Sequence, residues 1–213
     1  NNSTNKQLAI LGGGCLDPTS EAELDIGNVR TTILGGGDMW WNLTEARYEI
    51  PKNEGVHSLF AGSLWIGGLD DQNNLKIAAM TYRQTGSDFY PGPLNADSNS
   101  PLFGSTSFDD CNDYNQHWVI SKNEVEAYVT YLECTNNPDC DTDVSFPNYV
   151  VPDVITNWPS SHYSFDGTNE YLAPFIDVDG DGIYNNSDYP AYDLDATGNC
   201  SSEDYLYGDQ SIW

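Results

Sequence analysis

The stretch Asp177-Val-Asp-Gly-Asp-Gly-Ile-Tyr-Asn-Asn-Ser-Asp188 is the feature around which this 213-residue chain is organised. Acidic side chains occupy positions 1, 3, 5 and 12 of the segment, and Gly182 occupies position 6. This is the spacing of an EF-hand-type calcium loop, except that Asp188 stands where such loops usually carry glutamate. Calcium takes about six to eight oxygen ligands, so a short loop must turn several carboxylates inward, and glycine permits the sharp bend.

The spacing predicts a Ca²⁺ site with six ligand residues. They are Asp177, Asp179, Asp181, Ile183, Asn185 and Asp188. The four aspartates supply side-chain oxygens, residue 183 supplies its backbone carbonyl, and residue 185 makes a direct or water-bridged contact. The alternative is a surface turn rich in Asp, Gly and Asn that binds nothing. Four acids at the key positions around one glycine favour the calcium loop.

The charge distribution points in the same direction. The chain has 33 acidic residues against 7 Lys and Arg, and Lys122 is the last basic residue. The 91 residues after it carry 18 acids, so a compact fold there suffers strong self-repulsion unless a cation joins it. Nucleic acids and anionic membranes are excluded as partners because both require basic patches. The sequence also lacks a run of 18 apolar residues, so we expect no membrane span.

The five cysteines show no zinc-binding spacing. Cys134 and Cys140 flank the turn-forming sequence Thr-Asn-Asn-Pro-Asp, which predicts a local disulfide between them. A second bridge between Cys111 and Cys200 leaves Cys15 unpaired, but other pairings remain open. Disulfides persist in oxidising compartments and calcium is abundant outside cells, so we expect an extracellular or cell-surface location.

Composition and periodicity predict a mainly β fold with long irregular loops, either β-sandwich-like or an irregular β-rich domain. Tyr, Trp, Thr, Gly and Asn are plentiful, and periodic runs rich in Ala, Lys and Glu are few. A hairpin is predicted from His57–Ile66 and Leu75–Arg83, with turn-forming residues between them. One short α-helix is predicted at about 121–134. Ser121 and Glu124 form its capping box, and an apolar stripe follows.

We expect an extended N-terminal arm over residues 1–22 and a single β-rich domain over 23–213. The last residues, Tyr205–Trp213, are apolar and strand-like, and an apolar strand needs a partner. The sequence therefore predicts that the domain continues beyond Trp213 or that this strand pairs with another segment.

Several segments resemble the N-terminal region of large secreted surface proteins of Bacteroidota that the type IX secretion system exports. They are Leu24–Trp41, His57–Leu69, Thr81–Gln84 with Asp88–Pro93, Tyr171–Phe175 and Tyr207–Gln210. The resemblance implies that the chain is part of a longer protein with a role at the cell surface or in the matrix, linked to adhesion or gliding. It assigns no catalytic residue.

The sequence contains no recognisable catalytic constellation, and we expect the chain not to be an enzyme. The three histidines are far apart, and neither His-Glu-x-x-His nor Gly-x-Ser-x-Gly occurs. The favoured hypothesis is a non-catalytic, calcium-stabilised extracellular module that contacts other protein chains of a surface assembly. One alternative is a self-assembling subunit of a filament or tube. The other is a carbohydrate-binding or carbohydrate-active module in which Trp40, Trp41, Trp65 and Trp158 stack on sugars, although glycan binding has no direct support in the sequence.

Overall fold

The structure is a computed structural model that describes residues 14–83, 86–95, 97–100, 103–163, 169–192, 194, 206 and 208–213. The mainly β prediction is confirmed. The strands are β1 Glu21–Ile26, β2 Val29–Leu34, β3 Asp38–Met39, β4 Tyr48–Glu49, β5 His57–Leu59, β6 Gly62–Ser63, β7 Trp65–Leu69, β8 Leu75–Ala79, β9 Val119–Ser121, β10 Ser161–Tyr163, β11 Asn169–Tyr171, β12 Phe175–Ile176, β13 Tyr189–Pro190 and β14 Gln210–Ile212. The helices are α1 Phe108–Asp113, α2 Lys122–Thr135, α3 Thr142–Ser145 and α4 Asp153–Thr156.

The largest sheet in the described part of the chain has six strands in the order β5-β4-β2-β3-β6, with β1 also paired to β2. β1 and β2 form a continuous antiparallel hairpin from Glu21↔Leu34 to Ile26↔Val29. Its two-residue turn begins with Gly27, whose φ of +63° is the left-handed conformation that such a tight turn needs at its first position. The remaining strands form small two-stranded sheets, so the irregular β-rich alternative describes the fold.

The predicted hairpin at 57–83 is divided between two sheets. Only Trp65–Leu69 and Leu75–Ala79 pair with each other, in the register Trp65↔Ala79 to Leu69↔Leu75. The preceding strands β5 and β6 pair instead with β4 and β3 of the large sheet. Apolar alternation identified the strands, but it could not show where the chain leaves one sheet for another.

The predicted helix is present as α2, one residue later than expected at each end. The Glu124 backbone N–H donates to Ser121 Oγ over 3.3 Å, and the Ser121 N–H donates to Glu124 Oε2 over 2.8 Å, so the capping box is complete. The other three helices, with four to six residues each, were not predicted because they are too short to show an apolar period. No helix in the described ranges is long and apolar enough to cross a membrane.

The main apolar core lies beside α2 and is built largely from the second half of the chain. Its buried members are Ile120, Val125, Tyr128, Ile155, Trp158, Ala173, Tyr192 and Leu206. The terminal strand β14 pairs antiparallel with β9, from Gln210↔Ser121 to Ile212↔Val119, so its partner lies within the chain.

The N-terminal residues are joined to α1 by a disulfide. Cys15 bonds to Cys111 with Cα atoms 5.9 Å apart, so the Cys111–Cys200 pairing is wrong, and Cys200 itself lies outside the described residues. Asn115 Oδ1 also accepts hydrogen bonds from the Thr19 and Ser20 N–H groups. These contacts bring Cys15 to α1, and sequence spacing gives no sign of them.

The second disulfide joins Cys134 to Cys140, the pair that flanks the predicted turn. The predicted N-terminal arm lies outside the described residues up to position 13. Its final two residues belong to β1, which begins at Glu21. The extent of the single domain stays a prediction.

We expect the two disulfides to stabilise the fold to different extents. Their sequence separations are 96 and 6 residues, and chain-entropy estimates give roughly 4.7 and roughly 2 kcal/mol respectively. The Cys15→Ala/Cys111→Ala double variant should therefore lower the free energy of unfolding more than the Cys134→Ala/Cys140→Ala double variant. Urea denaturation of both variants tests this, and equal losses would contradict the loop-length argument.

Asp38 is a buried acid in the large sheet. Only 6% of the residue is exposed, and the Trp41 Nε1–H donates to its Oδ1 over 3.3 Å. Burial raises the pKa of Asp38 above its ordinary value of 3.8, and the tryptophan hydrogen bond opposes that shift only in part. The ionised carboxylate is therefore disfavoured in the folded state.

This shift predicts a pH-dependent effect of Asp38→Asn. Because the pKa is higher in the folded state, folding binds protons, and the wild-type chain loses stability as pH rises through the raised pKa. The amide oxygen introduced by the substitution can still accept from Trp41, so the variant should be more stable than wild type at about pH 7 and equal to it below about pH 3. Chemical denaturation at both pH values, with the exposed Asp71→Asn as control, tests the sign.

Candidate metal centre

The predicted calcium loop connects the two strands of a small β-hairpin that packs on the core. β12 and β13 pair antiparallel as Phe175↔Pro190 and Ile176↔Tyr189. Asp177 follows the first strand directly, and Asp188 precedes the second directly. The strand pairing therefore brings the first and last positions of the loop together at its base. The flanking elements are strands, whereas in an EF-hand they are helices.

Two glycines give the loop its tight path. Gly180 and Gly182 have φ values of +74° and +75°, a conformation that other residues rarely adopt. Their N–H groups then point at the first acid of the loop: Gly180 donates to Asp177 Oδ1 over 2.7 Å and Gly182 donates to Asp177 Oδ2 over 2.8 Å. The glycine at position 6 thus makes the sharp bend expected from the sequence.

Three carboxylates converge inside the loop. Asp177, Asp179 and Asp188 each have an oxygen that lies within 4.8 Å of the oxygens of the other two. Carboxylate oxygens at this separation repel one another and are the ligand type that hard divalent cations prefer. The group can therefore hold a metal ion.

Asp188 is the buried member of this group, with 0% of the residue exposed. Its two oxygens accept from the Val178 and Asn185 N–H groups over 2.9 and 2.8 Å. Burial raises the pKa of Asp188; the two N–H groups oppose this, and the charges of Asp179 and Asp177 raise it further. Two backbone hydrogen bonds therefore do not compensate fully for placing this carboxylate beside two others.

The remaining three predicted ligands lie outside this carboxylate group. Asp181 uses Oδ1 to accept from the Ile183 N–H over 2.7 Å, and it is not a member of the group. The Ile183 carbonyl accepts from Asn185 Nδ2, which also donates to Asp179 Oδ2 over 3.1 Å. The nitrogen of the Asn185 amide therefore faces Asp179, and direct ligation by its oxygen requires the amide to rotate.

Sequence reasoning missed Ser187. Its hydroxyl lies 3.2 Å from Asp179 Oδ2 and donates to Asn185 Oδ1 over 2.5 Å. The backbone N–H of Ser187 donates to the same amide oxygen over 2.8 Å. Position 11 has no fixed ligand role in EF-hand-type spacing, so the sequence carried no signal for this contact.

Two tyrosines fasten the loop to the helical part of the core. The Tyr128 hydroxyl, on α2, donates to the Asn186 carbonyl over 2.6 Å. The Tyr184 hydroxyl, within the loop, donates to the Ile155 carbonyl of α4 over 2.7 Å, and its ring packs edge-on against Phe175 with centroids 5.4 Å apart. The apolar stripe of α2 predicted that Tyr128 is buried but gave no sign of its partner.

Comparison with protein-family models, with curated proteins and with solved structures found no match for this chain. The resemblance to Bacteroidota surface proteins therefore stays a hypothesis based on the segments quoted above. The ligand roles are likewise inferred from spacing and from the geometry of the loop.

The geometry predicts unequal effects of two aspartate substitutions in the loop. Asp179→Asn removes a charge from the carboxylate group, and losing a charged contact costs about 1.5–3 kcal/mol, or roughly 10- to 100-fold in Kd. Asp181→Asn should have a smaller effect because its carboxylate lies outside the group. Isothermal titration with calcium measures both, and equal losses would mean that the loop rearranges to bring Asp181 to the ion.

Proposed function

We propose that this chain is a non-catalytic, calcium-stabilised extracellular module of a larger secreted cell-surface or matrix protein. The observation that carries the proposal is the convergence of Asp177, Asp179 and fully buried Asp188 at the base of a hairpin that packs on the core. A divalent cation bound there neutralises part of the charge that folding concentrates.

The role we assign to the ion is structural. Asp188 connects the loop to β13, and Tyr128 connects the loop to α2, so the geometry of the loop and the packing of the core depend on each other. The chain after Lys122 contains no other Lys or Arg that could balance its 18 acids. A bound cation therefore stabilises this half where protein groups cannot.

The two disulfides support a location outside the cytoplasm. Such bonds persist in oxidising compartments, where calcium is also abundant enough to fill sites of modest affinity. We extend this to the extracellular space or cell surface, with type IX export and a role in adhesion or gliding, on the strength of the sequence resemblance.

Three of the four tryptophans on which the carbohydrate hypothesis depends are not available to stack on a sugar. Trp41 and Trp158 are buried, with 3% and 5% exposed. The Trp40 ring lies directly over Gly62, where even an added Cβ would lie 2.5 Å from it, and it packs edge-on against Tyr48. These rings are structural, and of the four only Trp65 is largely exposed.

Thermal unfolding in calcium and in excess chelator tests the proposal. A ligand that binds only the folded state at a concentration 100 times its Kd adds about 2.7 kcal/mol of stability, so calcium should raise the Tm clearly. The Asp177→Asn/Asp179→Asn variant should melt at the same temperature with and without calcium. Asp143→Asn, an exposed aspartate outside the loop, is the matched control and should keep the full calcium response.

An unchanged Tm of the wild-type chain in excess chelator would contradict a structural role for the ion. A double variant that still responds to calcium would place the ion elsewhere. Hydrogen exchange of residues 177–188 gives a second readout, since calcium should slow exchange of the Gly180 and Gly182 amides if it closes this loop.

A further inference from the structure

The β7–β8 hairpin exposes an apolar face that the proposed calcium site does not explain. The cross-strand pairs Trp65↔Ala79, Gly67↔Ile77 and Leu69↔Leu75 place these six residues on one side of the two strands. We call this side the apolar face. Its four large side chains, Trp65, Leu69, Leu75 and Ile77, are 69%, 66%, 66% and 64% exposed.

The other side of the same hairpin differs in composition. It carries Ile66, Gly68, Lys76 and Ala78, because side chains alternate between the faces of a strand. Lys76 Nζ lies 3.4 Å from Asp70 Oδ2 at the hairpin turn. The apolar face has no charged residue, so the two sides can be distinguished by substitution.

The hairpin holds the apolar face in a defined shape. The Trp65 Nε1–H donates to the Met80 carbonyl over 2.6 Å, so the polar atom of the indole is satisfied within the chain. At the turn, Asp70 Oδ1 accepts from the Gln72 and Asn74 N–H groups over 3.0 and 2.8 Å. At the other end, the Ala79 N–H donates to Asp88 Oδ2 over 3.0 Å. A partner therefore meets a preformed surface.

The exposed area matches a weak, specific interface. From areas of roughly 250 Å² for Trp and roughly 120 Å² for Leu or Ile, the four side chains expose about 400 Å². This equals the largest apolar patch on many monomers, which is often functional. The four side chains of two such faces contribute about 800 Å², which is below the roughly 1,200 Å² of stable interfaces and in the range of weak, transient ones.

The apolar face has a large side chain next to a glycine. Ile77 projects beside the gap that Gly67 leaves, and an ideal Cβ at Gly67 would have only ordinary contacts, at 3.8 Å to the Lys76 carbonyl oxygen and 4.0 Å to Ile77 Cγ1. The face therefore contains both a projection and a gap. In a two-fold contact each copy can place its Ile77 in the gap of the other, which is the self-complementarity that isologous dimers require.

The net charge opposes association of two copies in general, but it disfavours a contact through this face the least. Each copy carries a net charge of −26, so two copies repel each other over most of their surfaces. A face without charged side chains is where they can approach at the least electrostatic cost. We propose that the chain forms a two-fold dimer in which the apolar faces of two β7–β8 hairpins pack against each other around Gly67 and Ile77.

Sedimentation velocity of the full chain tests the dimer. The protein concentration is varied from about 1 µM to about 1 mM, the range of Kd expected for a weak interface. Over this range the average mass in solution should rise from 23.6 kDa towards twice that value. Added NaCl should strengthen the dimer because salt screens the repulsion between the acidic bodies. A chain that stays monomeric throughout, or a dimer that weakens with salt, would overturn the proposal.

Two pairs of variants test which face is used. In a two-fold contact the Ile77→Lys substitution is present in both copies, so it should raise the dimer Kd at least about 100-fold. Ile66→Lys, on the opposite side of the hairpin, should leave the Kd unchanged. Gly67→Val fills the gap and should raise the Kd at least about 10-fold, whereas Gly68→Val, which meets nothing within 4 Å, should not. Equal effects within both pairs would overturn the assignment.

The proposed dimer and the proposed calcium site can be refuted independently of each other. Each hairpin variant should keep the wild-type circular dichroism spectrum and the wild-type Tm response to calcium, because the hairpin and the loop belong to different sheets. If Ile77→Lys fails to fold, the glycine pair still decides the question, since valine suits a strand. Loss of calcium dependence with an intact dimer would refute only the proposed function.

Discussion

The repulsion among the carboxylates of Asp177, Asp179 and Asp188 is the constraint on which the second half of this structure depends. Strand pairing at β12–β13 forces the first and last of these residues together, and packing on the core removes Asp188 from water. Backbone N–H groups satisfy the Asp188 oxygens as hydrogen-bond acceptors, but they carry no full charge. A cation that supplies the missing charge stabilises the folded state at such a site, and without a cation the repulsion destabilises it.

Features that were predicted correctly depend on residues close together in sequence. The capping box of α2 needs only Ser121 and Glu124, three positions apart, and the structure contains both of its hydrogen bonds. The loop at 177–188 follows the same logic, since Gly182 and the spacing of the acids specify a turn with carboxylates inside. Asp181 is the exception: its carboxylate caps the N–H two residues later, which spacing alone does not distinguish from ligation.

Features that were not predicted depend on residues far apart in sequence. Three such features are the Cys15–Cys111 bond, the transfer of the chain between sheets near Leu64, and the choice of β9 as the partner of the terminal strand. All three are determined by the packing of the whole chain. Apolar periodicity identifies a strand but not its neighbour, because many pairings bury a similar area. The exposure of the apolar face of β7–β8 was not predicted for the same reason, because its sequence resembles that of a buried strand.

The disulfide between Cys15 and Cys111 has a mechanical consequence. It encloses β1 to β8, so tension applied to the polypeptide on either side of the bridge passes through the covalent S–S link. The backbone between the two cysteines is then bypassed by the bond, and pulling extends residues outside the bridged loop. While the bond is intact, the sheet and the hairpin that it encloses therefore cannot be unravelled by pulling on the chain from outside the bridge.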